Sequence, residues 1–485
     1  MSLLLKRGLK MASSPPKDPL IMIIGATGTG KSKLAVELAT RFNGEIINCD
    51  AMQMYKGLPI ITNKIPENER DGIPHHLLDF IDLREKPWSV QHFVRESSRI
   101  IDAIRARGKL PIIVGGTIYY TFSLLFNDAI LSTADGDSGD DSLIESADKA
   151  VDALAILSAP TEEIFAKLRE VDPEMAKRWH PNDRNKIRRS LEIYLKSGRK
   201  ASDIYAEQRQ PIVEDQDGKH AENTRPTQDN ASAERKMSLR YPSLVLWLEA
   251  EDAVLKQRLD ARVDAMVADG LCDEVVQMAK FESDLRNQGQ SVDLTNGIWA
   301  SIGYKEMKPW LEEQQASDID SARLAAAKEE GIEAVKASTR RYAKRQNRFV
   351  RIRLAKALKA AGRCELLYLL DCTDLARWPA VVGGPAEVLV ETFVQGRELP
   401  RAKTLSDMAE NTLRRIEQDS MVGDRQARIC EVCNKTLMTE KEWNGHIASR
   451  SHKKITAWQR RQELLLVQES RAPGERFVQL RDQPI

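Results

Sequence analysis

Four groups of residues have types and spacings that could do chemistry. Gly25-Ala26-Thr27-Gly28-Thr29-Gly30-Lys31-Ser32 fits the phosphate-loop pattern G-x-x-x-x-G-K-[ST] at every fixed position. Glycines let the backbone bend so that successive N–H groups point at a phosphate, and the following helix adds partial positive charge. Lys31 would hold terminal phosphate oxygens and Ser32 would offer its hydroxyl to Mg²⁺. A plain glycine-rich turn with a surface lysine is the alternative, and it does not account for all four fixed positions falling between strand and helix. The second group is Asp50, an acid ending the short strand Glu45-Ile46-Ile47-Asn48-Cys49, and the third is Gly115-Gly116-Thr117, where small residues permit close backbone approach to a ligand. The fourth is Cys430-x2-Cys433-x12-His446-x5-His452, the Cys2His2 spacing that suits a closed, structural, tetrahedral Zn²⁺ site. Ser449, Arg450, Ser451, Lys453 and Lys454 decorate that finger, so nucleic acid is its natural partner, with a protein-docking tail as the alternative.

The elements that must position these groups follow from periodicity. Leu20 to Ile24, Glu45 to Asp50, Lys109 to Val114, Leu244 to Leu248 and Leu366 to Asp371 read as buried strands, alternating with helical patterns at Lys33 to Phe42 and Val90 to Arg107. That alternation implies an α/β, doubly wound parallel sheet whose ligands bind at the carboxyl ends of the strands, where Gly25 to Ser32, Asp50 and Thr117 all fall. Thr161 to Leu195 reads as helical, and Val254 to Phe281 as a helix pair. Thr339-Arg340-Arg341-Tyr342-Ala343-Lys344-Arg345-Gln346 lies in a strongly basic helix, where the density of cations around a tyrosine favours phosphate-backbone contact over a merely solvated face. His75 and His76 are adjacent, so in an extended chain they point apart, and a structural or positioning role fits them better than metal.

Composition narrows the class. In 485 residues, 73 Lys and Arg nearly cancel 72 Asp and Glu, so any polyanion surface must be a local patch. No run of about 18 apolar residues is present, so no membrane helix is expected. Six cysteines in so long a chain, two of them in metal spacing, point to a reducing compartment. Lys6, Arg7, Lys10 and Lys17 precede the first acid, which fits a mitochondrial presequence as well as a basic tail, and a start at Met11 would omit most of it. Ser132 to Asp148 and Arg209 to Met237 are polar and read as solvated insertions, and Gln459 to Gln468 as more helix. The expected domains are a tail over 1–19, a phosphate-loop core over 20–131, a helical insertion over 132–243, the rest of the core with basic helices over 244–398, and an extension over 399–485 carrying the finger at 430–452.

Together the motifs resemble the tRNA dimethylallyltransferase (tRNA isopentenyltransferase) family in its eukaryotic form with a C-terminal finger. The resemblance rests on Gly25 to Ser32, Asn48 to Gln53, Pro59 to Lys64, Ile73 to His76, Val114 to Tyr120, Asp183 to Glu192, Arg262 to Met266, Ser301 to Glu306 and Thr339 to Gln346, in order. It implies a fold like that of phosphate-loop NTPases with an inserted helical domain. It also implies transfer of a dimethylallyl group from dimethylallyl diphosphate to N6 of the adenosine just 3′ of the anticodon, the loop binding a leaving group rather than ATP. By the resemblance Asp50 is the general base, Thr117 lies near the target nucleotide and Arg262 faces the diphosphate. Asp50, Ala51, Met52 and Gln53 would meet the nucleotide, Gln53 reading an adenine edge. Arg188, Arg189, Ser190, Leu191 and Glu192, with Arg340, Arg341, Lys344 and Arg345, would hold the tRNA anticodon stem-loop. Mg²⁺ and structural Zn²⁺ are the implied metals, the mitochondrion, cytoplasm or nucleus the implied compartments, and a monomer the expected state. Ala51 stands where many members have Ser, and Phe349 where the basic motif often ends near Trp. A small-metabolite kinase shares the first strand and loop, but here no acid follows the third strand and no arginine lid lies near. A finger-bearing RNA adapter with a vestigial loop would not need Lys31, Ser32 and Asp50 intact.

Overall fold

The computed structural model describes residues 14–127, 156–203, 238–419 and 428–457, apart from 86, 291, 295, 317–319, 434, 438 and 439. The basic start before residue 14, the two polar insertions and the stretch Gln459 to Gln468 lie outside the described residues. Two units divide the chain, one of Met1–Gly139 with Ala221–Met421, the other of Asp140–His220 with Val422–Ile485.

The first unit is built on a six-stranded sheet in the order β3-β2-β4-β1-β5-β6, where β1 is Leu20–Gly25, β2 Gly44–Asn48, β3 His75–His76, β4 Leu110–Val114, β5 Ser243–Glu249 and β6 Leu367–Asp371. Every pairing is parallel, with Ile23 opposite Val114 and Gly25 opposite Leu248. Parallel sheets are covered on both faces, which is why β1 and the middle of β5, Leu244 to Leu248, are apolar, and both strands are buried throughout. Alternate residues serve two cores. Leu20, Met22, Ile24 and Trp247 pack with helix Val90–Ala106, whereas Ile21, Ile23, Leu246 and Leu248 pack with helices Lys31–Arg41 and Gly384–Val394.

The strands expected from the sequence all form within a residue or two of their predicted limits. The edge strand β3 was not expected; at two residues it is too short for any periodic signal. Its His76 bonds the buried Glu45 carboxylate at 2.7 Å, and His75 bonds the carbonyl of Ile73 at 2.8 Å, so both rings serve the sheet edge. The expected helix pair is Asp252–Ala268 and Leu271–Asn287, parted at Gly270, whose φ of 110° allows the break. The basic segment lies on a 29-residue helix, Ser321–Phe349, started by the Asp320 side chain accepting from Ala322 N at 2.9 Å. Helix Asp407–Asp419 also belongs to this unit, with Ala409 fully buried in the sheet's core.

In the second unit the stretch from Thr161 is three helices, Thr161–Val171, Pro173–Arg178 and Arg184–Ser197, around Ile164, Phe165, Leu168, Ile187 and Leu191. Asp172 and Asp183 cap the later two, accepting from Met175 N and Lys186 N. The finger has strands β7 (Arg428–Cys430) and β8 (Lys435–Leu437), antiparallel, and helix Glu440–Ala448. Among the described residues no helix is long and apolar enough to cross a membrane.

The site ends of β2 and β4 approach so closely that a Cβ on Gly115 would lie 2.3 Å from the backbone C and O of Cys49. Gly115→Ala should therefore force the two strand ends apart, at a cost of about 1–3 kcal/mol, the range of ordinary overpacking. Denaturant melts check this, and a variant as stable as its parent would show that the ends separate freely.

Candidate active site at the strand ends

The carboxyl ends of β1, β2 and β4 meet, and each delivers its group through a different local device. After β1 the chain turns at Gly25, Gly28 and Gly30, with φ of 146°, 81° and 86°, which side chains disfavour. Thr29 is fully buried and bonds the carbonyl of Ala26 at 2.8 Å, so its hydroxyl closes the loop. Lys31 folds back to the same carbonyl at 2.6 Å, and Ser32 follows in the first turn of helix Lys31–Arg41. The indole of Trp378 abuts Gly30, its outer ring edge 2.7 Å from where a Cβ would stand, and donates to Glu37 at 2.9 Å. Trp378 closes that flank of the loop.

After β2, Asn48 bends the chain. Its amide donates to Asp50 O at 3.0 Å and Leu77 O at 2.9 Å, while its oxygen accepts from Asp50 N at 3.1 Å. Asp50 Oδ1 in turn accepts from Met52 N at 3.1 Å. After β4, Thr117 accepts from Ala51 N at 2.9 Å, which ties the Gly-Gly-Thr turn to the residue beside Asp50. That bond uses a backbone N–H, so Ala51 fills the position without a hydroxyl.

Arg262 arrives from helix Asp252–Ala268. Its Nε donates to Asn63 Oδ1 at 2.7 Å and its Nη1 to Thr27 Oγ1 at 3.3 Å. Asn63 sits at φ 52° on a loop pinned by the buried Glu274 carboxylate, which accepts from Ile60 N at 2.9 Å and Ile61 N at 2.7 Å. Asp50, Lys31 and Arg262 thus share one cleft. Desolvation there lowers Lys31 from its ordinary value to about 8, opposed by the Asp50 charge, and the nearby Arg262 lowers it further. Desolvation also raises the Asp50 carboxyl, against the pull of Met52 N–H, Lys31 and Arg262. Arg262 is lowered by desolvation and supported by Asp50. Two cations thus stand beside one carboxylate whose affinity for a proton is raised by desolvation.

The other residues singled out from sequence are distributed as follows. Gln53 donates its amide to Asn63 O at 2.8 Å, which engages the group expected to read adenine. On helix Ser321–Phe349, Arg341, Lys344 and Arg345 are exposed, whereas Arg340 is in an ion pair with Asp260. In the second unit Arg188 is exposed and Arg189 pairs with Glu192 at 3.3 Å. Ser190 accepts from Trp179 at 2.9 Å and Leu191 is fully buried, so both serve that unit's packing. Asn48, Asn63, Glu274, Gln346 and Trp378 also shape the site. Asn48, Asn63 and Gln346 fall inside motifs that carry the resemblance, but no local pattern announces Glu274 or Trp378, whose partners are remote in sequence.

In the finger the ligand atoms of Cys430, Cys433, His446 and His452 all lie within 4.8 Å of one another. His446 Nε2 is buried with no hydrogen-bond partner, as befits a ligand atom. The donor set of thiolates and imidazoles fits zinc, which would tie the end of β7 and the turn after it to the finger helix.

The family model described as IPP transferase matches residues 53–353, more than half of the chain. The chain belongs to that family. A second model, zinc-finger of C2H2 type, matches residues 428–452. A Schizosaccharomyces pombe protein named tRNA dimethylallyltransferase is 37% identical over 449 residues, covering 90% of this chain and 94% of its own. The protein of that name from Homo sapiens is 33% identical over 435 residues, covering 90% of this chain and 85% of its own. A solved structure described as a eukaryotic dimethylallyltransferase acting on tRNA superposes with a TM-score of 0.71 at 33% identity, over 93% of this chain and 100% of that one. The family model ends at residue 353, whereas the relatives' likeness covers 90% or more of this chain.

One zinc per chain is expected in purified protein by elemental analysis. Cys430→Ser together with His446→Ala should carry none and should lose the helical signal of the finger, since such modules fold on binding metal. Full zinc content in that double variant would place the ion elsewhere.

Proposed function

We propose that the chain transfers a dimethylallyl group from dimethylallyl diphosphate to N6 of the adenosine 3′ of the anticodon in tRNA. The observation that carries this reading is the cleft shared by Lys31, Arg262 and Asp50: two cations suited to a diphosphate beside one base raised by desolvation. The names of the family's curated members support the same substrates. The amine attacks C1 of the prenyl group, the C1–O bond breaks, and the N6 proton passes to Asp50. Charge developing on the departing diphosphate is met by the loop's amides, Lys31 and Arg262. Ser32 is the residue that would hold Mg²⁺, which when bound supplies further positive charge to the leaving group. Thr117 keeps the Ala51 amide, and with it the Asp50 turn, in place.

The exposed Arg341, Lys344 and Arg345 in one unit, and Arg188, Arg450, Lys453 and Lys454 in the other, are the cations offered to the stem-loop backbone. The kinase reading is weaker: the strand-end turn after β4 carries Thr117 where a metal-anchoring acid would stand, and Trp378 covers one flank of the loop.

Protein incubated with dimethylallyl diphosphate, Mg²⁺ and unmodified tRNA should add one five-carbon group to one adenosine, read by nucleoside mass spectrometry. Consumption of ATP with no change in tRNA mass would instead support a kinase. Asp50→Ala should lower turnover by about 10²–10⁴-fold, the usual contribution of a general base, with tRNA binding retained. A variant that keeps substantial activity would remove Asp50 from that role.

The same pair sets the pH dependence. The base must be ionised, and its raised carboxyl places the acid limb of kcat/KM above the ordinary carboxylate range. Lys31 must keep its proton, so kcat/KM should fall again above about 8. Lys31→Arg carries a cation that stays charged, so the alkaline limb should move to higher pH in whatever activity remains. A limb that stays in place belongs to another group.

A further inference from the structure

The inner face of helix Ser321–Phe349 carries a polar seam that the reaction described above does not use. Gln346 is its centre, 2% exposed in the middle of a run otherwise rich in Arg and Lys. Its Oε1 accepts from Thr27 N at 2.9 Å, and its Nε2 donates to Gly116 O at 3.0 Å. Those two backbone groups belong to the turns after β1 and β4, and they lie 319 and 230 residues away in sequence. The carboxamide therefore bridges them much as a peptide group in a strand between them would. The slot it occupies exists because residue 116 has no side chain. A Cβ there would fall 2.1 Å from Gln346 Nε2, and it would also lie 3.9 Å from Asp50 Oδ2. Tyr342, one turn earlier, reaches the same Gly116 carbonyl at 3.4 Å.

We propose that Gln346 is a positioning residue, which locks the diphosphate end of the site to the base end. On one side it fixes Thr27, whose hydroxyl receives Arg262. On the other it fixes Gly116, next to Thr117, which holds the turn of Asp50. Because the Thr27 N–H is spent on Gln346, the amides that cradle an anion are those from Gly28 onward. The assignment rests on the proposed transfer only for its consequence on rate. Transfer needs the prenyl carbon, held through its diphosphate, to meet an amine held beside Asp50, and small misplacements are costly. A carboxamide suits the task because it supplies one donor and one acceptor in a fixed plane while adding no charge to the site.

The test compares Gln346→Met, which keeps volume and loses both hydrogen bonds, with Gly116→Ala, whose methyl displaces the carboxamide without touching residue 346. Each full-length variant is read by thermal melt, by calorimetric affinity for magnesium pyrophosphate, by affinity for tRNA and by single-turnover transfer. We expect each single variant to bind pyrophosphate several-fold more weakly and to transfer about 10–100-fold more slowly, the scale of a misplacement near 1 Å. Affinity for tRNA should stay within about twofold, because Arg341, Lys344 and Arg345 lie on the exposed face. The double variant should be no worse than the worse single one, since both remove one bridge. A folded Gln346→Met with parental pyrophosphate affinity and rate overturns the proposal, as does full additivity in the double variant. If Gln346→Met does not fold, Gly116→Ala with parental values overturns it equally. If the parent itself transfers nothing to tRNA, the proposed function fails, while the pyrophosphate arm still decides the role of Gln346.

Discussion

Three charges in one desolvated cleft are the constraint around which the rest is arranged. Burial disfavours the charged form of Lys31, Asp50 and Arg262 alike, and each is sustained by an opposite neighbour. The balance is uneven, with two cations to one carboxylate. A diphosphate completes that set and removes the mutual repulsion of the cations, whereas a neutral ligand does neither. On the carboxylate the two effects oppose each other: desolvation raises its affinity for a proton, and the two cations favour its ionised form.

Such a cleft has to be held without adding charge to it, and the groups that hold it are carboxamides. Asn48 shapes the turn of Asp50, Asn63 orients the guanidinium of Arg262, and Gln346 joins the loop to the turn after β4. Each is neutral and offers a donor and an acceptor in a fixed plane, so each can satisfy backbone without shifting the titration of its neighbours. Acidic side chains give a second layer of support: Glu274 grips two amides of the Asn63 loop, and Glu37 holds the indole that walls off Gly30. Precision comes from such supporting residues as much as from the groups that touch substrate.

How far the sequence discloses this depends on the range of the interaction. The five long strands are legible because parallel strands buried on both faces are continuous apolar runs, and the finger and phosphate loop because their residues are neighbours in the chain. The limits of Thr161 to Leu195 are not, since Pro173 and two capping aspartates cut an apparently continuous helix into three. Nor is the role of Gln53, because the Asn63 carbonyl it meets is placed by an acid from a different part of the chain, Glu274. Arg262 is singled out in the sequence only through resemblance; its orientation by Asn63, across 199 residues, is a product of the fold. Residues 190 and 191 show how the members of one motif part company in the fold. They sit beside cations in sequence, yet one is a partner of Trp179 and the other is core.

Helix Ser321–Phe349 shows why a charge run should be read by face rather than by count. Arg341, Lys344, Arg345 and Arg348 are exposed, while Ser338, Gln346 and Asn347 are buried and Tyr342 is half-buried. The division follows the helical repeat: 338, 342 and 346 are spaced by four and lie along one side. One rigid element thus carries both the cations that face solvent and the amide that sets the phosphate loop. Its far end is anchored by Glu249, the last residue of β5, which takes Arg351 as an ion-pair partner and a hydrogen bond from Asn347 at 3.3 Å. Burial raises that carboxyl to about 7, so the anchor depends on Arg351 to stay ionised. A helix fixed to the sheet in this way gives the outer cations a constant distance from the cleft, which a surface loop bearing the same charges could not do.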